Sequence, residues 1–197
     1  MEENYNRKIQ YFLFLVDISR SMEGLRMESV YTSIMEQLPK IEYAAKVASD
    51  FADVKINLMT FSSDAQWMYP SPVGLDEFQL KHVEPFGLTD LGAALKLLHK
   101  TLTEDLKRYG WDLLPPKIII ITDGTPTDDY TYYLQKLRKM RLFNYGYCIG
   151  IAIGNEANKQ VLEEVCTSEG VYNIQDYSII FPQFCRIHQF QPYYEVD

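Results

Sequence analysis

Four isoleucines in a row, Ile118 to Ile121, constrain this chain more than any other feature. β-Branched side chains favour a strand, and a run with no polar alternate position describes one buried on both faces. Phe12 to Val16, within an apolar run that begins at Ile9, has the same character. A sheet apolar on both faces must be covered on both, and the sequence supplies amphipathic helices between its strands. Met27 to Leu38 places Val30, Ile34 and Leu38 at helical spacing, with Pro39 as the predicted stop. Asp53 to Phe61 and the short Gln66 to Tyr69 read as strands, with a loop over Pro70 to Gly74. Thr89 opens a second helix with Leu91, Ala94, Leu95, Leu98 and Leu102 on one face. Tyr130 to Leu142 and Glu156 to Cys166 are predicted helices, and Tyr145 to Ile153 and Gly170 to Ile174 predicted strands. This alternation predicts an α/β fold: a three-layer, Rossmann-like, doubly wound, mostly parallel sheet with helices on both faces.

No repeat, low-complexity tract or Gly/Ser-rich linker divides the chain. Its 197 residues, 47% hydrophobic, suit a single domain, residues 1–197. Its core is expected over about 8–174, with an extension over 175–197 packed on it as a closing helix through Ile179, Ile180, Phe181 and Phe184. The net charge of −8 argues against nucleic acid or an anionic membrane as partner, since both reward clustered Lys and Arg. Cys148, Cys166 and Cys185 form no CxxC pair and have no histidine at ligand spacing, which argues against zinc and for reduced thiols. The polar stretch Met1 to Lys8 lacks the apolar core expected of a signal peptide, and no apolar run is long enough to span a bilayer. A cytoplasmic protein is expected.

In a parallel sheet of this kind, ligands sit beyond the carboxyl ends of the strands, near the point where strand order reverses. Three polar clusters fall there. Asp17-Ile18-Ser19-Arg20-Ser21 follows the first buried strand, Gly87-Leu88-Thr89-Asp90 opens the Thr89 helix, and Thr122-Asp123-Gly124 follows the isoleucine strand. Taken singly, each has an ordinary reading as turn, helix cap or solvated group. Together, Asp17, Ser19, Ser21, Thr89 and Asp123 offer two carboxylates and three hydroxyls, a set of hard oxygen donors. Such a set suits Mg²⁺, and equally Mn²⁺ or Ca²⁺, with a coordination position left open.

The run D-I-S-R-S resembles the D-x-S-x-S signature of the von Willebrand factor A domain. The metal-ion-dependent adhesion site of that family also needs a distant Thr and a distant Asp. Thr89 within G-L-T-D-L-G-A-A-L and Asp123 within I-I-I-I-T-D-G stand in that order, and the resemblance runs from Lys8 to Ile174. Within the family, L-V-D-I-S-R-S-M-E-G and T-D-G-T-P-T-D look most like the stand-alone bacterial TerY group of tellurite-resistance proteins. Arg20 departs from the usual Gly of the first motif, and the Tyr177 to Asp197 tail lacks the cysteine set of a C-terminal zinc-binding extension.

The resemblance implies that Ser19, Ser21 and Thr89 hold the metal directly, while Asp17 and Asp123 act through water or hydroxyl groups. With neutral hydroxyls around it the ion stays electrophilic, so an Asp or Glu of a partner protein can complete its coordination. A non-enzymatic, metal-dependent interaction module follows, in the TerY-like setting one working with phosphatase and kinase partners. The alternative is a Mg-dependent phosphatase of the haloacid dehalogenase type with Asp17 as nucleophile. That chemistry wants a second Asp two residues on, where Ser19 stands, and a later acidic pair, for which only Asp128-Asp129 offers itself. No G-x-G-x-x-G, P-loop or G-x-S-x-G motif is present. An extracellular adhesion domain, which shares the fold, is disfavoured by the N-terminus and the unpaired thiols.

Overall fold

The computed structural model describes residues 7–49, 51–155, 157–166 and 170–174. Strands β1 (Lys8–Asp17), β2 (Ala52–Phe61), β3 (Ala65–Trp67), β4 (Lys117–Thr122), β5 (Tyr147–Ile153) and β6 (Val171–Ile174) form one sheet in the order β3-β2-β1-β4-β5-β6. All pairings are parallel except β2 with β3, which folds back as a short antiparallel edge. The mostly parallel sheet is the one expected, and the order reverses between β1 and β4. Helices α1 (Leu25–Val47), α2 (Leu91–Tyr109), α3 (Thr131–Arg138), α4 (Arg141–Asn144) and α5 (Lys159–Val165) make the crossovers.

The two faces of the sheet carry separate cores because successive residues of a strand point to opposite sides. Phe12, Phe14 and Val16 of β1 join Ile119 and Ile121 of β4 under Val30, Ile34 and Ile41 of α1. Tyr11, Leu13 and Leu15 join Ile118 and Ile120 on the other face, under Leu91, Leu95, Leu98 and Leu102 of α2. Phe12 and Phe14 are fully buried, and burial of an aromatic of this size stabilises the fold by roughly 1.5–3 kcal/mol.

Several element boundaries differ from those expected. Pro39 does not stop α1, which continues to Val47. Proline removes one backbone donor and bends a helix, but Ile41 and Ala44 continue the buried face beyond it, and that packing outweighs the local loss. Thr89 does not open α2; Asp90 is the capping position and Leu91 the first helical residue. The segment expected as one helix over Tyr130 to Leu142 is two, broken at Met140, whose extended backbone turns Leu142 and Phe143 into the core. Cys185, His188, Tyr193, Tyr194 and the expected closing helix over 175–197 lie outside the described residues.

Lys117 breaks the apolar rule of β4. It is 3% exposed, with its Nζ 5.5 Å from the centre of the Phe12 ring and 5.4 Å from that of Tyr147. Burial disfavours the charged form and pulls its pKa down to about 8. Above about 8 and below the ordinary 10.5, the unfolded chain holds a proton that the folded chain has lost, so this lysine adds stability as pH rises through that window. Lys117→Met is expected to abolish that rise and to stabilise the protein near neutral pH by roughly 1–3 kcal/mol. Urea unfolding of both proteins across the window is the check.

Candidate metal centre

The register between β1 and β4 builds the first half of the site. Val16 lies opposite Ile121, so Asp17 ends β1 beside Thr122, and Asp123 follows immediately. Asp17 is fully buried. Its Oδ2 accepts a hydrogen bond from the Thr122 hydroxyl at 2.5 Å, and its Oδ1 accepts one from the Ser19 amide at 2.7 Å. Burial pushes the Asp17 carboxyl up to about 6, opposed by these donors, with the charge of Asp123 adding to the rise.

From Asp17 the polar chain continues outward. Ser19 Oγ and Ser21 Oγ are 3.0 Å apart, and the Ser21 hydroxyl donates to Asp123 Oδ1 at 2.8 Å. The loop after β1 turns through a short 3-10 segment, Arg20–Met22, anchored by the buried Met22. The Arg20 amide reaches the Gly87 carbonyl at 3.3 Å and the Phe86 amide the Ile18 carbonyl at 2.7 Å, tying this loop to the one that carries Thr89. Arg20 itself is exposed.

Thr89 comes in from the third side. Its side chain is buried beside Gly124, where an added Cβ would stand only 3.0 Å from Thr89 Oγ1. The glycine after Asp123 is therefore what lets the threonine approach. The loop after β4 also grips the start of α2. Thr127 donates its amide to the Thr89 carbonyl at 2.8 Å and its hydroxyl to Asp90 Oδ1 at 2.6 Å. Asp128 accepts from the amides of Gly92 and Ala93 at 2.8 and 2.9 Å, one on each oxygen. Two of the otherwise unpaired first-turn amides of α2 are thus capped by a residue distant in sequence.

The five residues singled out in the sequence meet at one edge of the sheet. Thr122, already in the third polar cluster of the sequence, ties Asp17; the structure adds Thr127, Asp128 and Arg26, which sequence reasoning did not place at the site. Arg26, the second residue of α1, sets its guanidinium on Asp123 Oδ2 and also donates to the Ser21 carbonyl. The site's donors are carboxylate and hydroxyl oxygens brought within hydrogen-bonding reach of one another, and this set fits a hard divalent cation. Among the described residues, no group of three or more His, Cys, Asp or Glu forms an alternative metal cluster. His82 sits against Tyr31 and Glu84, and His99 packs on Tyr133 with its pKa lowered by burial.

Asp128→Ala is expected to lower the free energy of unfolding by about 1 kcal/mol, the usual cost of a lost helix cap. Urea denaturation with an unchanged m-value would identify the loss as one of native-state stability.

Comparison with known proteins gives the following. A family model described as the von Willebrand factor type A domain matches residues 12–184. Among solved structures, the ArnB paralog VWA2 from Sulfolobus acidocaldarius matches with a TM-score of 0.52 at 23% identity, over 88% of this chain and 43% of that one. A von Willebrand factor type A protein from Catenulispora acidiphila gives 0.63 at 14%, over 92% and 42%. Proximal thread matrix protein 1 from the mussel byssus, in a structure with a zinc-occupied MIDAS motif, gives 0.55 at 16%, over 92% and 45%. The chain thus spans less than half the length of each of these three, and at such identities the likeness is one of fold. No curated protein sequence matches the chain.

Proposed function

The chain belongs to the von Willebrand factor type A domain family, and on that premise we propose that it is a divalent-metal-dependent protein-interaction module with a complete metal-ion-dependent adhesion site. Ser19, Ser21 and Thr89 hold the metal, Asp17 and Asp123 orient them, and an Asp or Glu of a partner completes the coordination. The ion would supply Lewis acidity toward that carboxylate; Mg²⁺ is the expected occupant, with Mn²⁺ or Ca²⁺ compatible with the same donors. The observation that carries this reading is the continuous hydrogen-bonded path from Asp17 through Ser19 and Ser21 to Asp123, with Thr89 packed beside it. The zinc in the MIDAS motif of the mussel protein supports a divalent ion at the corresponding place.

Surface chemistry supports contact with a partner. Leu25, Phe86 and Leu88 are each more than half exposed and border the loops of the site. Scattered exposed apolar residues are ordinary, but these three adjoin Arg26, Gly87 and Thr89, which build or brace it. A binding role is also favoured over a phosphatase. Both Asp17 oxygens accept hydrogen bonds and the side chain is buried, whereas a nucleophilic carboxylate must present an oxygen to substrate. Asp128, from the acidic pair a phosphatase would need, is occupied with the amides of α2. The narrower likeness of the site loops to TerY-type proteins leads us to place the module in the bacterial cytoplasm, in a tellurite- or stress-resistance system with phosphatase and kinase partners.

The test is calorimetric titration of EDTA-stripped protein with Mg²⁺ and Mn²⁺. Wild type should bind at one saturable site, and Asp17→Ala/Ser19→Ala and Ser21→Ala/Thr89→Ala should each lose that binding while keeping their far-UV circular dichroism. Equal uptake by wild type and both folded variants would sink the proposal. A phosphate monoester offered with Mg²⁺ is expected to remain unhydrolysed; turnover abolished by Asp17→Asn would establish the enzyme instead.

A further inference from the structure

Arg26 occupies an awkward position by ordinary helix electrostatics. It lies in the first turn of α1, where the helix dipole presents its positive end and favours acidic side chains. Its guanidinium nevertheless turns back over the site, onto Asp123 Oδ2 and the Ser21 carbonyl. The Arg26 side chain is 30% exposed and that of Asp123 is 0% exposed, so the arginine caps a fully buried carboxylate from the solvent side. The other oxygen of the same carboxylate accepts from Ser21. Both oxygens of Asp123 are therefore engaged, one by a hydroxyl of the donor set and one by a permanent cation.

We propose that Arg26 is a built-in competitor for the divalent ion, a cation beside the site that sets its metal affinity through Asp123, the carboxylate that orients Ser21. The inference rests on the metal-site reading above and goes beyond it to regulation. A guanidinium stays charged at every accessible pH, and a unit positive charge within a few ångströms of a divalent cation opposes its binding strongly in a partly buried setting. The same charge favours an arriving anion. Once Arg26 releases Asp123 it can turn to a partner's carboxylate, at the partly exposed position where it already stands. Metal and acidic ligand are then expected to bind cooperatively, each weakly alone.

Arg26→Gln keeps a hydrogen-bond donor without the charge, and Arg26→Lys keeps the charge without the planar fork. In calorimetric titrations of EDTA-stripped protein, Arg26→Gln is expected to bind Mg²⁺ about tenfold more tightly than wild type, and Arg26→Lys within about threefold of it. Acetate, added as a carboxylate probe, should tighten Mg²⁺ binding to wild type more than to Arg26→Gln. A second readout is thermal unfolding: Mg²⁺ should raise the Tm of Arg26→Gln more than that of wild type, because the uncapped Asp123 gains more from a cation. Unchanged or weaker Mg²⁺ binding in Arg26→Gln, with wild type still binding at a site lost in Asp17→Ala/Ser19→Ala, would overturn the role of Arg26 alone. Binding by neither wild type nor Arg26→Gln would overturn it together with the metal-site reading.

Discussion

The parallel pairing of β1 with β4 is the constraint from which the site follows. It puts Asp17 at the end of one strand beside Thr122 at the end of its neighbour, and a 2.5 Å hydrogen bond joins them. The chain leaves these adjacent strands in opposite lateral directions, β1 toward β2 and β4 toward β5. The loops that follow them face each other where the sheet reverses its order, the place where ligands of such sheets sit, and Ser21 bridges them to Asp123. Two apolar cores, one on each face, hold the strands in that register. A one-residue slip between them would exchange the faces of an entire strand and separate the carboxylates.

Electrostatics at this edge are those of carboxylates held by different partners. The chain carries a net charge of −8, and at the site the partly exposed Arg26 covers the buried Asp123. A buried carboxylate is tolerated only when hydrogen bonds or positive charge compensate it. Asp17 relies on hydroxyl and amide donors, and Asp123 on a hydroxyl and a guanidinium. The two acids thus have different support, although they stand side by side in the fold.

β1, β4 and β5 were legible in the sequence because their residues are buried on both faces, and burial of that kind writes itself as a continuous apolar run. All six appear within about two residues of their expected places, and the five donor positions meet where strand ends had placed them. Helix boundaries were less legible, since they depend on packing rather than on local propensity. Pro39 continues inside α1 because Ile41 and Ala44 remain buried beyond it. Long-range partners left no local signal at all. Asp128 reads as half of an acidic pair, and only the fold brings it to the amides of α2. Arg26 falls just before the helix expected from Met27, and nothing local ties it to Asp123. Cys148 and Cys166, eighteen positions apart, read as unrelated thiols, whereas their sulfurs lie 3.7 Å from each other between β5 and the end of α5.

The grip of the β4 loop on α2 has a mechanical meaning. Asp123 belongs to the site, and four to five residues later the same loop holds Thr89, Asp90 and the first amides of the helix. Only Gly124, Thr125 and Pro126 separate them, so the site and the start of the helix share one short loop. α2 runs on to Tyr109, and at 1.5 Å per residue its far end lies about 25 Å from that grip. Any tilt of the helix about Gly92 would be a larger excursion at Tyr109, at the opposite end of the sheet's strands.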